Sequence, residues 1–134
     1  MTNPRPSWPQ RMLRLAREWS QYSTCIRSQV GAVLFDPDSK AVISIGYNDT
    51  AIGQDDCGEG GCPACTGEES ARNLDSCLCV HAETNCIALA ARRGSRTEGA
   101  HMAVTRKPCN GCRKLLVQAG VTKIFGEDFS ESSA

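Results

Sequence analysis

Apolar positions fall in two rhythms along the chain, one helical and one alternating or continuous as in strands. Trp8, Met12, Leu15, Ala16 and Trp19 recur at helical spacing, with Arg11, Arg14, Arg17 and Glu18 between them, which predicts an amphipathic first helix ending near Tyr22. The two tryptophans read as core anchors. Val30 to Phe35 is apolar, Asp36-Pro37-Asp38-Ser39 supplies turn chemistry, and Val42 to Tyr47 resumes as a β-branched run, so a hairpin of two buried strands is expected. Val80 to Arg93 carries strong helix formers, with Ala82, Cys86, Leu89 and Ala90 on one side and Gly94 as a stop. Met102 to Thr105 reads as a short strand, Cys109 to Ala119 as a helix opened by Pro108 and closed by Gly120, and Val121 to Phe125 as another strand. From Gly126 onward the acids and serines read as a solvated tail. The order helix, strand, strand, helix, strand, helix, strand predicts an α/β fold, a mixed sheet with helices on its faces.

Regularity fails between Asp49 and Cys79, where Gly53, Gly58, Gly60, Gly61, Pro63 and Gly67 are mixed with acids and five cysteines. A length of 134 residues suits a single domain, 1–134, in which this cysteine-rich stretch, 49–79, is an insert that needs something other than a core to order it. Fifteen basic and fifteen acidic residues cancel, which argues against a nucleic-acid surface, and 5% aromatic content argues against a broad base-stacking platform. No apolar run is long enough to span a bilayer. Met1 to Gln10 is proline-rich and polar without an apolar export segment, so a cytoplasmic location is expected. In a reducing compartment nine cysteines read as metal ligands before disulfides, and an odd number cannot pair completely.

The chemistry concentrates in His81-Ala82-Glu83 and Pro108-Cys109-Asn110-Gly111-Cys112. One imidazole and two thiolates hold zinc tetrahedrally with one position left for water, and a carboxylate two residues from the histidine reaches that water without binding the metal. Zinc-dependent nucleobase deaminases carry this same H-x-E…P-C-x-x-C signature. Cys109 and Cys112 share a helix face, and the backbone N–H groups at a helix start are expected to lower their thiol pKa values. Glu83 is the expected general acid and base, and His81, Cys109 and Cys112 are the expected catalytic zinc ligands. A purely structural zinc knuckle leaves the placement of Glu83 unexplained. His101 reads as a structural strand residue.

Cys25, Cys57, Cys62, Cys65, Cys77 and Cys79 remain. The C-x-x-C of Cys62 and Cys65 and the C-x-C of Cys77 and Cys79 bracket a glycine-rich loop, which points to a second, structural zinc held by four of the six. Free buried thiols and a redox C-x-x-C are the weaker readings.

From Ser23 to Phe125 the chain resembles the cytidine and deoxycytidylate deaminase superfamily, and within it the deoxycytidylate (dCMP) deaminases. The resemblance is carried by Gln29-Val30-Gly31-Ala32-Val33, Gly46-Tyr47-Asn48, Cys79-Val80-His81-Ala82-Glu83-Thr84-Asn85, Pro108-Cys109 to Cys112, and Gln118-Ala119-Gly120-Val121. It implies a cytidine-deaminase-like three-layer α/β/α sandwich and conversion of dCMP to dUMP with release of ammonia. It also implies a homo-oligomer, dCTP and dTTP as effectors, and Cys25, Cys57 and Cys79 as ligands of the second metal. Asn48 would hydrogen-bond the sugar, the alternative being an ordinary strand-end asparagine. Ala82 and Lys107 are placed against the substrate. For a phosphate, Arg27 is the first choice because guanidinium matches phosphate bidentately, with Arg106 and Lys107 next. Asp49 stands where the family usually has glycine, and Cys86 where alanine is common. Deaminases of nucleosides, free bases or transfer-RNA adenosine, and a zinc-ordered binding module without catalysis, are the alternatives.

Overall fold

In a computed structural model the described residues, 4–59 and 78–132, place a five-stranded sheet between two helical layers. The elements are α1 (Trp8–Ser20), β1 (Gly31–Phe35), β2 (Val42–Tyr47), β3 (Asp49–Thr50), a 3-10 turn (Cys57–Glu59), β4 (Cys79–Val80), α2 (Ala82–Arg93), β5 (His101–Val104), α3 (Asn110–Gln118), β6 (Lys123–Phe125) and β7 (Ser130–Ser132). The strand order is β2-β1-β5-β6-β7. Only β5 and β6 run parallel, joined through α3, while the other neighbours are antiparallel, so the sheet is mixed as expected. No helix among the described residues is long and apolar enough to cross a membrane.

Alternation along the central strands builds the two cores. Ala32 and Leu34 of β1, Met102 and Val104 of β5 and Ile124 of β6 face Ala82, Cys86 and Ala90 of α2 and Leu116 of α3. Val33, Phe35 and Ala103 face the other way, onto Met12, Leu13 and Ala16 of α1. A period of two in a strand sends neighbours to opposite faces, and here both faces are covered. His101 opens β5 edge-on to Phe35 and Phe125, the structural place expected for it.

Two glycines set how closely the layers approach. A Cβ on Gly31 would lie 1.8 Å from the Ala16 carbonyl oxygen, and one on Gly46 would lie 2.7 Å from the Ala82 carbonyl oxygen. Both obstacles are backbone atoms, which no rotamer change can move. Gly31→Ala is therefore expected to destabilise the fold by about 3 kcal/mol or more and to lower Tm by roughly 10 °C. A thermal melt of the variant that coincides with wild type would show that α1 can lift off β1 without cost.

Several expectations need correction. The tryptophans are not core anchors: Trp8 is 39% exposed and stacks under Arg11, and the buried face of α1 is Met12, Leu13 and Ala16. On α2, Leu89 sits at the surface rather than with Ala82, Cys86 and Ala90. Only β1 of the hairpin is fully buried, because β2 lies at the edge of the sheet and turns Ser44 and Gly46 inward. The insert has order at both ends, since Asp49 and Thr50 pair with Val80 and Cys79. That pairing is why α2 starts at Ala82 rather than at Val80. The solvated tail is instead the edge strand β7, which pairs with β6, and Phe129 packs onto the core. Cys62, Cys65 and Cys77 lie outside the described residues.

Candidate active site

The end of β2, the start of β1 and the end of β5 lie along one edge of the sheet, since Tyr47 pairs with Gly31 and Val104 with Ala32. Both helices of the α2/α3 layer begin near there. His81 is the N-cap of α2 and Cys109 the N-cap of α3. The His81 side chain makes no capping hydrogen bond. Its Nδ1 instead lies 3.3 Å from Cys112 Sγ and 3.6 Å from Cys109 Sγ. The Cys112 backbone N–H donates to Cys109 Sγ at 3.5 Å, holding the first turn of α3 around the pair. All three ligand atoms fall within 4.8 Å of one another.

The donor set fits zinc. Zn–S near 2.3 Å and Zn–N near 2.0 Å place tetrahedral neighbours about 3.5–3.8 Å apart, close to the spacing of these atoms. Burial and the Glu83 charge push the Cys112 thiol up to about 12. The expected lowering by the helix start is thus outweighed by desolvation, and this sulfur needs an adjacent cation to become a thiolate. Glu83 sits in the first turn of α2, 4% exposed, and burial raises its carboxyl pKa. Its backbone N–H, the His81 charge, the Cys112 thiol and the Arg106 charge act in the opposite direction. A buried carboxyl of this kind can hold a proton or release one, as acid–base work requires.

A second set of donors gathers around β4, with one sulfur from that strand, one from the 3-10 turn and one from the loop after α1. The sulfurs of Cys25, Cys57 and Cys79, all buried, also fall within 4.8 Å of one another, and Cys57 and Cys79 approach to 2.7 Å. The Cys25 loop is fastened independently of them. The Ser23 hydroxyl donates to the Asn48 carbonyl at 2.6 Å and accepts from the Cys25 N–H, and the Thr24 hydroxyl donates to the Asp49 carboxylate. Asp49 therefore ties β3 to the segment that carries Cys25. Three buried sulfurs converging from separate segments supply the donor chemistry of a thiolate site, though Cys57 and Cys79 stand closer together than the about 3.8 Å of two sulfurs sharing a tetrahedral zinc.

The expected substrate contacts are placed unevenly. Asn48 is 7% exposed, and its amide spans the loop before β1: Oδ1 accepts from Val30 N–H at 2.8 Å and Nδ2 donates to the Ser28 carbonyl at 2.7 Å. One lone pair and one N–H of that amide remain for a ligand. The Ala82 side chain is buried in the core, so only its backbone can face a substrate. Arg27 is exposed on the loop next to Ser28. Lys107 Nζ lies 3.7 Å from Glu131 of β7, whose carboxylate also takes a bidentate pair of bonds from Arg113 at 2.8 and 2.9 Å. Arg106 donates to the Ser28 hydroxyl at 2.9 Å. Sequence reasoning missed Ser28, Glu131 and Thr84, whose hydroxyl lies 3.7 Å from Cys112 Sγ. Only Thr84 left a signal, its position in the first turn of the His81 helix. The partners of Ser28 and Glu131 are distant in sequence.

A family model described as the cytidine and deoxycytidylate deaminase zinc-binding region matches residues 6–127. The deoxycytidylate deaminase of Schizosaccharomyces pombe is 36% identical over 121 residues, covering 90% of this chain and 37% of that protein. That of Saccharomyces cerevisiae is also covered over only 37% of its length, so the chain spans little more than a third of these two relatives. The deoxycytidylate deaminase of Mycobacterium phage D29 is 32% identical over 126 residues, covering 90% of this chain and 94% of that protein. Among solved structures, the dCMP deaminase of cyanophage S-TIM5 in complex with dCMP and dUMP superposes with a TM-score of 0.75 at 27% identity, covering 92% of this chain and 83% of that one. The fold is therefore the cytidine-deaminase-like one, with its mixed five-stranded sheet.

Proposed function

Since the chain belongs to the cytidine and deoxycytidylate deaminase zinc-binding family, we propose that it hydrolyses dCMP to dUMP and ammonia. The observation that carries this reading is the convergence of His81, Cys109 and Cys112 beside the buried Glu83. Likeness to a phage deoxycytidylate deaminase over nearly its whole length, and to a structure holding dCMP and dUMP, supports the choice of substrate.

Zinc held by His81, Cys109 and Cys112 supplies a Lewis acid that makes water nucleophilic near neutral pH. Glu83 does the proton work. A carboxylate oxygen takes one proton from the attacking water and delivers it to the cytosine ring nitrogen as the oxygen adds to the amine-bearing carbon. The same carboxyl then moves the second proton to the departing amino group, so one water is consumed and one ammonia leaves. Asn48, Arg27, Lys107 and the backbone of Ala82 line the edge that receives the nucleotide. Cys25, Cys57 and Cys79 hold a second, structural zinc, with the fourth ligand from Cys62, Cys65 or Cys77. Residues 1–134 act as one domain, in the cytoplasm, as a homo-oligomer open to dCTP and dTTP as effectors.

Ammonia release from dCMP, deoxycytidine, cytosine and dCTP tests the assignment. The nucleoside monophosphate is expected to be turned over with the highest kcat/KM. Turnover of cytosine alone would sink the nucleotide assignment, and none on any of the four would leave a zinc-ordered binding module.

A further inference from the structure

Three cations stand at the rim of the site, and the structure treats them differently. Lys107 faces the Glu131 carboxylate at 3.7 Å, and Arg27 extends from an exposed part of its loop. Arg106 has no carboxylate within ion-pair distance among the described residues. It is oriented all the same, because Nη1 donates to the Ser28 hydroxyl at 2.9 Å. The backbone on either side of that contact is anchored. Next to Arg106, Thr105 is stapled to Gly31 by two bonds: its N–H donates to the Gly31 carbonyl at 3.0 Å and its Oγ1 accepts the Gly31 N–H at 3.1 Å. On the other side, Asn48 Nδ2 holds the Ser28 carbonyl at 2.7 Å.

A guanidinium has five N–H donors, and one hydroxyl acceptor leaves most of them unused. An arginine oriented by a neutral acceptor, with no ion pair to an acid among the described residues, is prepared for a doubly bonded anion. Its place in the chain, after β5 and two residues before Pro108-Cys109, is next to the zinc-ligand segment.

We propose that Arg106, steered by Ser28, grips the phosphate of the substrate and gives this enzyme its preference for a nucleoside monophosphate over the nucleoside. Asn48 serves as a positioning residue that keeps Ser28 in place. The proposal rests on the deaminase reading and deepens it.

The test compares dCMP with deoxycytidine in wild type, Arg106→Ala, Arg106→Lys and Ser28→Ala, together with calorimetric binding of dUMP and deoxyuridine. Arg106→Ala is expected to lower kcat/KM on dCMP roughly 50-fold, mainly through KM, and to leave deoxycytidine within about 3-fold. It should weaken dUMP binding by a similar factor and leave deoxyuridine binding as it is. Arg106→Lys should recover part of the loss, and Ser28→Ala should raise KM for dCMP several-fold at unchanged kcat. An unchanged KM for dCMP in Arg106→Ala, or an equal fall on both substrates, overturns the proposal while the deaminase reading stands. Absence of turnover by wild type on either substrate overturns that reading, and this proposal with it.

Discussion

Replacing Glu83 by glutamine is expected to lower kcat on dCMP by about 10³- to 10⁴-fold while zinc content and fold persist. Glutamine fills the same space in the first turn of α2 but neither accepts nor returns a proton, and the imidazole and thiol donors are untouched. A wild type no faster than the variant would mean that the cluster at the two helix starts is not catalytic. The same variant has a second, opposite signature in protein stripped of metal. Burial raises the Glu83 carboxyl above its ordinary value, so its favourable contribution is complete at low pH and is lost as pH rises through the raised value. Glutamine has no proton to lose. Chelated Glu83→Gln should therefore melt higher than chelated wild type near neutral pH, with the gap closing as pH falls towards about 4. Melts across that range measure it, and a gap that widens on acidification would show that Glu83 is stabilised as the anion.

Cys57→Ser is expected to reduce zinc from about two ions to about one per chain and to lower Tm by roughly 10 °C or more. Cys57 is fully buried in the 3-10 turn, Cys79 lies in a two-residue strand, and Cys25 sits on a loop. Two short strands and one turn bury little apolar area, so a shared cation would supply much of what joins them. Cys86 is the internal control. It is just as buried, its thiol is pushed up to about 12 by desolvation, and it donates to the Ala32 carbonyl at 3.3 Å, far from both sulfur groups in role. Cys86→Ala should keep both ions. Elemental analysis decides the matter: a wild type with one ion, or Cys57→Ser with two, would leave the thiol cluster without a metal.

The helices and central strands were legible because their periods are strong. α2 and α3 begin and end near the residues that capping chemistry marks, His81 to Gly94 and Cys109 to Ala119. The catalytic ligands were legible for a related reason: metal chemistry demands fixed spacings, and those spacings survive in one dimension. What escaped depends on partners far along the chain. Nothing local separates Trp8 from a core residue, because the buried face of α1 is set by where Val33, Phe35 and Ala103 of the sheet meet it. β7 was missed because Ser130-Glu131-Ser132 has no apolar rhythm and becomes a strand only by pairing with β6. The roles of Ser28 and Glu131 rest on contacts across 78 and 18 residues respectively.

Asn48 bears on how mutagenesis here is to be interpreted. Its amide fastens Val30 and Ser28 ahead of β1, and under the proposed function it would also meet the sugar, so an alanine substitution would merge scaffolding with recognition at this one position. Lost turnover in Asn48→Ala becomes evidence for sugar recognition only when hydrogen exchange at Ser28 and Val30 is unchanged. Read without that check, a slackened hinge would pass for a missing handshake.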